Sequence, residues 1–222
     1  MPIPANPLNE APKTARQRIY MALRDWIIDG TLRPGEKISD LEISQYFSVS
    51  RTPVREAIQQ LADQKLIEVY PGRESRIAPI DAEKAHQIYR ILAELHAMAV
   101  EFSFSKITSE VIEELEKINN QLFIGEENVS LTDMQALDKE FHSVFLRLAD
   151  NDFLKDFTEI LRIHVDRAEK LYYSMEREYI SSAQEHGEII SALKEGNLEK
   201  AKEKVRQNWI HAIEVVNSQR EP

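Results

Sequence analysis

A mainly α-helical fold in two parts is predicted for this chain of 222 residues, and three observations carry it. Residues 14–80 hold three helical periodicities followed by two short β runs around a polar turn. From Asp81 onward, apolar residues recur at helical spacing with no proline before Pro222. Net acidity is confined to that second stretch: residues 1–80 hold 11 Lys and Arg against 10 Asp and Glu, and residues 81–222 hold 17 against 28. The expected segments are a loose Pro-rich tail over 1–12, a small helical unit over 13–79 and a helical bundle over 80–218, with Pro79-Ile80 as the hinge.

The first unit is justified element by element. Thr14 to Gly30 reads as an amphipathic helix with Ile19, Leu23, Trp26 and Ile27 inward. Gly30 ends it, and Arg33-Pro34-Gly35 supplies the turn. Ser39 to Phe47 reads as a short helix capped by Ser39, with Glu42 completing a capping box. Ser48-Val49 then turns into a helix opened by Ser50 as N-cap, with Pro53 in the first turn, where a missing N–H is tolerated. Arg51 and Arg55 share one face of that turn, while Val54, Ile58 and Leu61 lie opposite. A helix N-terminus carrying two arginines suits phosphate oxygens and guanine edges. Leu66–Tyr70 and Ser75–Ile77 read as two strands around Pro71–Glu74, a β wing. The sum is an N-terminal winged helix-turn-helix that places its second helix in a DNA groove.

In the second unit six helices are expected, at about 81–104, 108–123, 130–149, 152–175, 177–195 and 197–217. Breakers at Gly125–Asn128, Asp150-Asn151 and Gly196-Asn197 separate them, and short links make neighbours antiparallel, hence a six-helix bundle.

Bulk properties narrow the function. The net charge of −10 argues against nucleic acid until its distribution is considered, because local basic residues, not the whole-chain balance, set phosphate contact. With no cysteine there is neither a disulfide nor a thiolate metal site. No apolar run approaches the ~20 residues that span a bilayer, and residues 1–12 lack a signal pattern, so a cytoplasmic location is expected.

All six histidines fall in the second half. Asp138 and His142, at i and i+4, share a helix face. His186 and Asn208 lie 11 residues on either side of position 197, so they stand level in an antiparallel hairpin. A carboxylate, two imidazoles and an amide therefore converge in the bundle, a set suited to zinc, nickel or manganese. The alternative is ordinary: an interior histidine is often a hydrogen-bonded core residue, and Asp138 can pair with Lys139, Arg147 or His142. His164 mirrors Asp138 about position 151 and reads as pocket-lining or core. Arg90, in a helix rich in Ile88, Ile91, Leu92, Leu95 and Met98, reads as an inward arginine. It is either paired with Glu94 or available to hold a carboxylate beside the metal.

Residues 14–80 resemble the winged helix-turn-helix of the GntR family of bacterial transcription regulators. The resemblance is carried by Leu32-Arg33-Pro34-Gly35, Val49-Ser50-Arg51-Thr52-Pro53-Val54-Arg55-Glu56-Ala57, Leu61 and Leu66-Ile67. It implies operator contacts from Ser50, Arg51, Thr52 and Arg55, and a wing contact from Arg73. Two departures bear on DNA: Leu41 stands where the family often has arginine, and Glu74 follows Arg73. Residues 81–217 resemble the all-helical (FCD) ligand-binding domain of the FadR-type branch, in its six-helix VanR-like subgroup. The markers are Arg90, Glu94, Asp138–His142, Asp150-Asn151, Phe153-Leu154, Glu185-His186, Ile189, Ala192 and Gly196-Asn197. The resemblance implies a metal on Asp138, His142 and His186, with Asn208 where the family has a fourth histidine. It also implies an effector pocket including Arg90, and a homodimer.

The resulting expectation is a repressor whose binding to double-stranded operator DNA is controlled by a small organic or sugar acid. The rival is a metal-dependent hydrolytic enzyme with a DNA-binding-like appendage. No second carboxylate at a general-base spacing supports the rival, since Glu185 lies ~100° round the helix from His186.

Overall fold

The structure, a computed structural model, describes residues 14–70, 75–124, 130–172 and 177–218. It divides into two compact units, residues 1–79 and 80–222.

In the first unit α1 (Ala15–Ile28) packs against α3 (Arg51–Asp63), with α2 (Asp40–Tyr46) beside α3. Their shared core is Ile19, Leu23 and Ile27 against Val54, Ala57, Ile58 and Leu61. Trp26 is only half-buried, because its ring lies edge-on to Tyr46 at 5.5 Å and beside Phe47 at 6.0 Å, at the rim of the unit. The strands are β1 (Lys37–Ile38), β2 (Ile67–Glu68) and β3 (Ser75–Ile77), antiparallel in the order β1-β3-β2. Ile67 stands opposite Ile77, and Ile38 opposite Ser75. Strand β1 was not foreseen, since two residues are too few to show alternation. Arg73 and Glu74 lie outside the described residues.

Two caps differ from expectation. The Ser39 hydroxyl accepts the Glu42 N–H at 3.3 Å, but the reciprocal half of a capping box is not present. Ser50 holds the N-cap position of α3 without a side-chain cap hydrogen bond. The reason is in the sequence: an N-cap hydroxyl takes the N–H two or three residues on, and the third is Pro53, which has none.

The second unit comprises α4 (Ala82–Ser103), a short 3₁₀ turn (Phe104–Lys106), α5 (Ser109–Ile124), α6 (Leu131–Ala149), α7 (Asp152–Tyr172), α8 (Arg177–Lys194) and α9 (Leu198–Ser218). Helix α4 packs against α6, α7 and α9, while α8 packs against α5, α6 and α9. Tyr89, Leu92, Phe141, Phe145, Ile189 and Trp209 anchor a single core between them. The α6–α7 corner is set by Asp150, left-handed at φ 52°, and by Asn151, whose side chain accepts the Leu154 N–H at 3.0 Å. Gly196, at φ 66°, turns α8 into α9, and across this hairpin Asn208 donates to Glu185 at 2.8 Å.

Candidate metal centre and DNA-reading face

Asp138 and His142 sit one turn apart on α6, and His186 comes from α8 beside it. Each is buried and offers one ligand atom, and these atoms all lie within 4.8 Å of one another. The His186 ring is stacked on Phe141 at 3.8 Å and 8°, which fixes its plane. Asn208, on α9, is buried too and lines the same small cavity as Asp138 and His142, with Glu169, Ser182, Trp209 and Ala212. The cavity volume, about 20 Å³, suits one ion or water.

The protonation states follow from the neighbours. Asn119 donates its amide N–H to the Ala183 carbonyl at 2.9 Å, so its oxygen faces His186. That oxygen lies 3.2 Å from His186 Nδ1, which must carry the hydrogen. Nε2 is then a bare lone pair, buried, with no hydrogen-bond partner among the described residues and 3.6 Å from Asp138 Oδ1. Burial pushes His186 down to about 3 and His142 to about 4, so both are neutral near pH 7. Burial alone would raise Asp138, but His142, His186 and Arg162 outweigh it and hold the carboxyl below its usual range. A lone pair thus faces a carboxylate with no proton between them. Two buried acceptors in that arrangement repel, and a cation between them is the group that the donor set fits.

A buried arginine does stand at the site, and it is Arg162 of α7. Its Nη2 lies 3.4 Å from Asp138 Oδ2, its Nε donates to Asp166 at 2.9 Å, and its guanidinium covers Trp209 at 5.1 Å. Glu169 approaches the same guanidinium at 4.0 Å and accepts from Gln135 at 3.0 Å. Burial disfavours the charge on Arg162, but Glu169, Asp166 and Asp138 more than restore it. Glu169 itself is pushed up to about 7 by burial, with Arg162 opposing. The i, i+4 spacing of Arg162 and Asp166 was readable, but the apolar background that singled out Arg90 drew the reading elsewhere.

Arg90 is a correction. It lies on the exposed face of α4, and Glu94 is bonded instead to Arg206 of α9 at 3.0 Å. The helix carries its apolar residues on more than one side, so their abundance did not define an inward face. Nor is His164 part of the cavity wall; it is half-buried on α7. Among the pairings offered for Asp138, Lys139 goes to Asp166 and Arg147 to Glu114. His96 is buried, stacked on Trp209 at 4.7 Å and against His142 at 5.0 Å.

On the first unit, Arg51 and Arg55 are both held by one carboxylate. Arg51 Nη2 lies 2.6 Å from Asp40 Oδ1, and Arg55 Nε lies 2.7 Å from Asp40 Oδ2. The hydrogen bond from Arg51 lowers Asp40 most; slight burial opposes it, and Arg55 adds to it. Ser50 and Thr52 are exposed beside these arginines, and Leu41 is exposed on α2. No helix among the described residues is long and apolar enough to cross a membrane.

Comparison with known proteins agrees with both halves. Residues 15–77 match the family described as bacterial regulatory proteins, gntR family, and residues 87–209 match the FCD domain. The chain is 31% identical over 190 residues to the HTH-type transcriptional repressor RspR of Escherichia coli (strain K12), covering 86% of this chain and 80% of that one. It is 27% identical over 201 residues to the HTH-type transcriptional regulator YdhC of Bacillus subtilis (strain 168), covering 89% and 88%. Among solved structures, E. coli McbR/YncC superposes with a TM-score of 0.76 over 94% of this chain and 99% of that one, at 19% identity, a likeness of fold. The relatives are transcription regulators, and none supports the hydrolytic alternative. By these matches over both of its units, the chain belongs to the GntR family of DNA-binding transcription regulators, in the branch that carries an FCD domain.

Proposed function

We propose that this regulator is a metabolite-responsive repressor acting on cytoplasmic DNA, with a divalent transition metal on Asp138, His142, His186 and Asn208. The observation that supports the metal is the bare His186 Nε2 facing the Asp138 carboxylate at 3.6 Å in a buried site. A six-coordinate metal such as manganese or nickel, held by four protein donors, keeps two positions open, and a small organic or sugar acid is the effector class that fits them. Arg162 does not serve as the anion clamp, since three carboxylates already surround it.

Pairing of two chains is supported by apolar side chains left in solvent. Ile91, Met98 and Phe102 recur along one face of α4, and Phe153 and Phe157 do so on the adjacent α7. Two chains joined there present two recognition helices to a near-palindromic operator. Effector binding alters operator affinity only as far as it favours one of the two DNA-binding states.

The test begins with elemental analysis of untagged protein never exposed to chelator, then retardation of a DNA site selected by the protein from a random pool. About one metal per chain, with retardation abolished by an organic acid only when metal is present, is the expected result. A metal-free protein that takes up none on soaking overturns the site. Retardation indifferent to every acid, with or without metal, overturns the effector class.

A further inference from the structure

The fourth donor is what sets this site apart, and the inference that follows rests on the metal reading above. Asn208 carries an amide, whose oxygen can bind a metal and whose NH2 group cannot. Glu185 decides which end faces the site. Its Oε2 accepts the Asn208 Nδ2–H at 2.8 Å, and its Oε1 meets His211 Nδ1 at 2.5 Å, so the carboxylate is held from both sides. With the NH2 group turned to Glu185, the Asn208 oxygen is left toward the triad. Asn208 is 5% exposed, so the orientation is not averaged by solvent.

We propose that the Asn208 oxygen, oriented by Glu185, is a metal donor that makes this a two-imidazole, two-oxygen site tuned toward manganese. Imidazole favours zinc and nickel, whereas carboxylate and carbonyl oxygens suit manganese, so each exchange of nitrogen for oxygen narrows zinc's advantage. Glu185 is a positioning residue: it touches the amide and not the metal.

The experiment is equilibrium dialysis of the full chain against equal concentrations of manganese and zinc, read by elemental analysis, with circular dichroism to check folding. The variants are Asn208→His and Glu185→Gln. Asn208→His raises the zinc-to-manganese occupancy ratio by about tenfold or more, and Glu185→Gln lowers manganese affinity by about tenfold, the scale typical of an outer-shell partner. A ratio unchanged in folded Asn208→His overturns the proposal while leaving a metal site in place. If that variant does not fold, manganese affinity unchanged in Glu185→Gln overturns it. If the native chain takes up neither ion, the metal reading itself fails, and the proposal with it.

Discussion

Asn119 Oδ1 lies 3.2 Å from His186 Nδ1, and this contact between α5 and α8 selects which imidazole nitrogen faces Asp138. Asn119→Ala removes the acceptor and leaves Nδ1–H buried without a partner. Metal affinity is expected to fall about 10- to 100-fold, as for other outer-shell partners of ligating histidines. Metal titration with circular dichroism as the folding check measures it. Undiminished affinity means that the tautomer is set elsewhere.

Arg162 is a buried cation that approaches Asp138, Asp166 and Glu169 together. Arg162→Met leaves their charges uncompensated, and the expected cost is about 3–5 kcal/mol of folding stability. Arg162→Lys does not restore it, because a point charge cannot replace a planar fork that meets several carboxylates. Urea denaturation of the three proteins tests this. A loss below about 1 kcal/mol in Arg162→Met refutes the network's role.

Glu169 makes stability depend on pH in a direction that can be worked out. Its ordinary value is 4.5, and folding raises it to about 7. Between those values the native chain keeps a proton that the unfolded chain has lost, so this residue's contribution declines as pH rises through that window. Glu169→Gln abolishes the titration. The Tm of the variant minus that of the native protein is therefore expected to be larger near pH 8 than near pH 5, by calorimetry at both. An equal or reversed difference contradicts the raised value.

Arg51→Ala and Arg55→Ala are each expected to lose operator binding while the protein stays folded. An arginine that meets phosphate should also reduce the salt slope of binding by about one. Filter binding across a salt series on the selected site reads both quantities. Unchanged affinity in both variants removes α3 from the DNA-reading role.

The exposed apolar stripe makes the pairing surface testable by charge. Met98→Glu combined with Phe153→Glu is expected to give monomers, since unpaired charges in an apolar contact are costly. Sedimentation velocity decides it, and a dimer that persists places the pairing surface elsewhere.

Much of this molecule was legible because its signals are local. Ser50–Ile58 compresses a helix start, its early proline and two arginines into nine residues, and the six helices of the bundle follow from period and breakers alone. Asp138 and His142 were legible as a pair because their spacing is helical, and His186 with Asn208 because theirs is mirrored about a turn; joining the two pairs into one ligand set rested on the resemblance to the FCD domain. Arg90 misled for the converse reason: an apolar helix that packs on three neighbours shows no single inward face, and burial had to be seen. Asn119 and Glu185 were missed as partners because their roles depend on rotations of side chains from different helices, which no spacing encodes. Strand β1 lay below the length at which alternation is visible.

On the proposed reading that Arg51 and Arg55 meet DNA, the Asp40 carboxylate that holds both has a consequence for how the protein finds its site. A genome offers this regulator almost nothing but wrong sequences, and each wrong phosphate must compete with an anion that the protein already carries. Brief stops at random positions are thereby kept short. Only a sequence that offers both guanidiniums better partners than Asp40 makes the exchange worthwhile, so part of the discrimination is built into the protein before it meets any base.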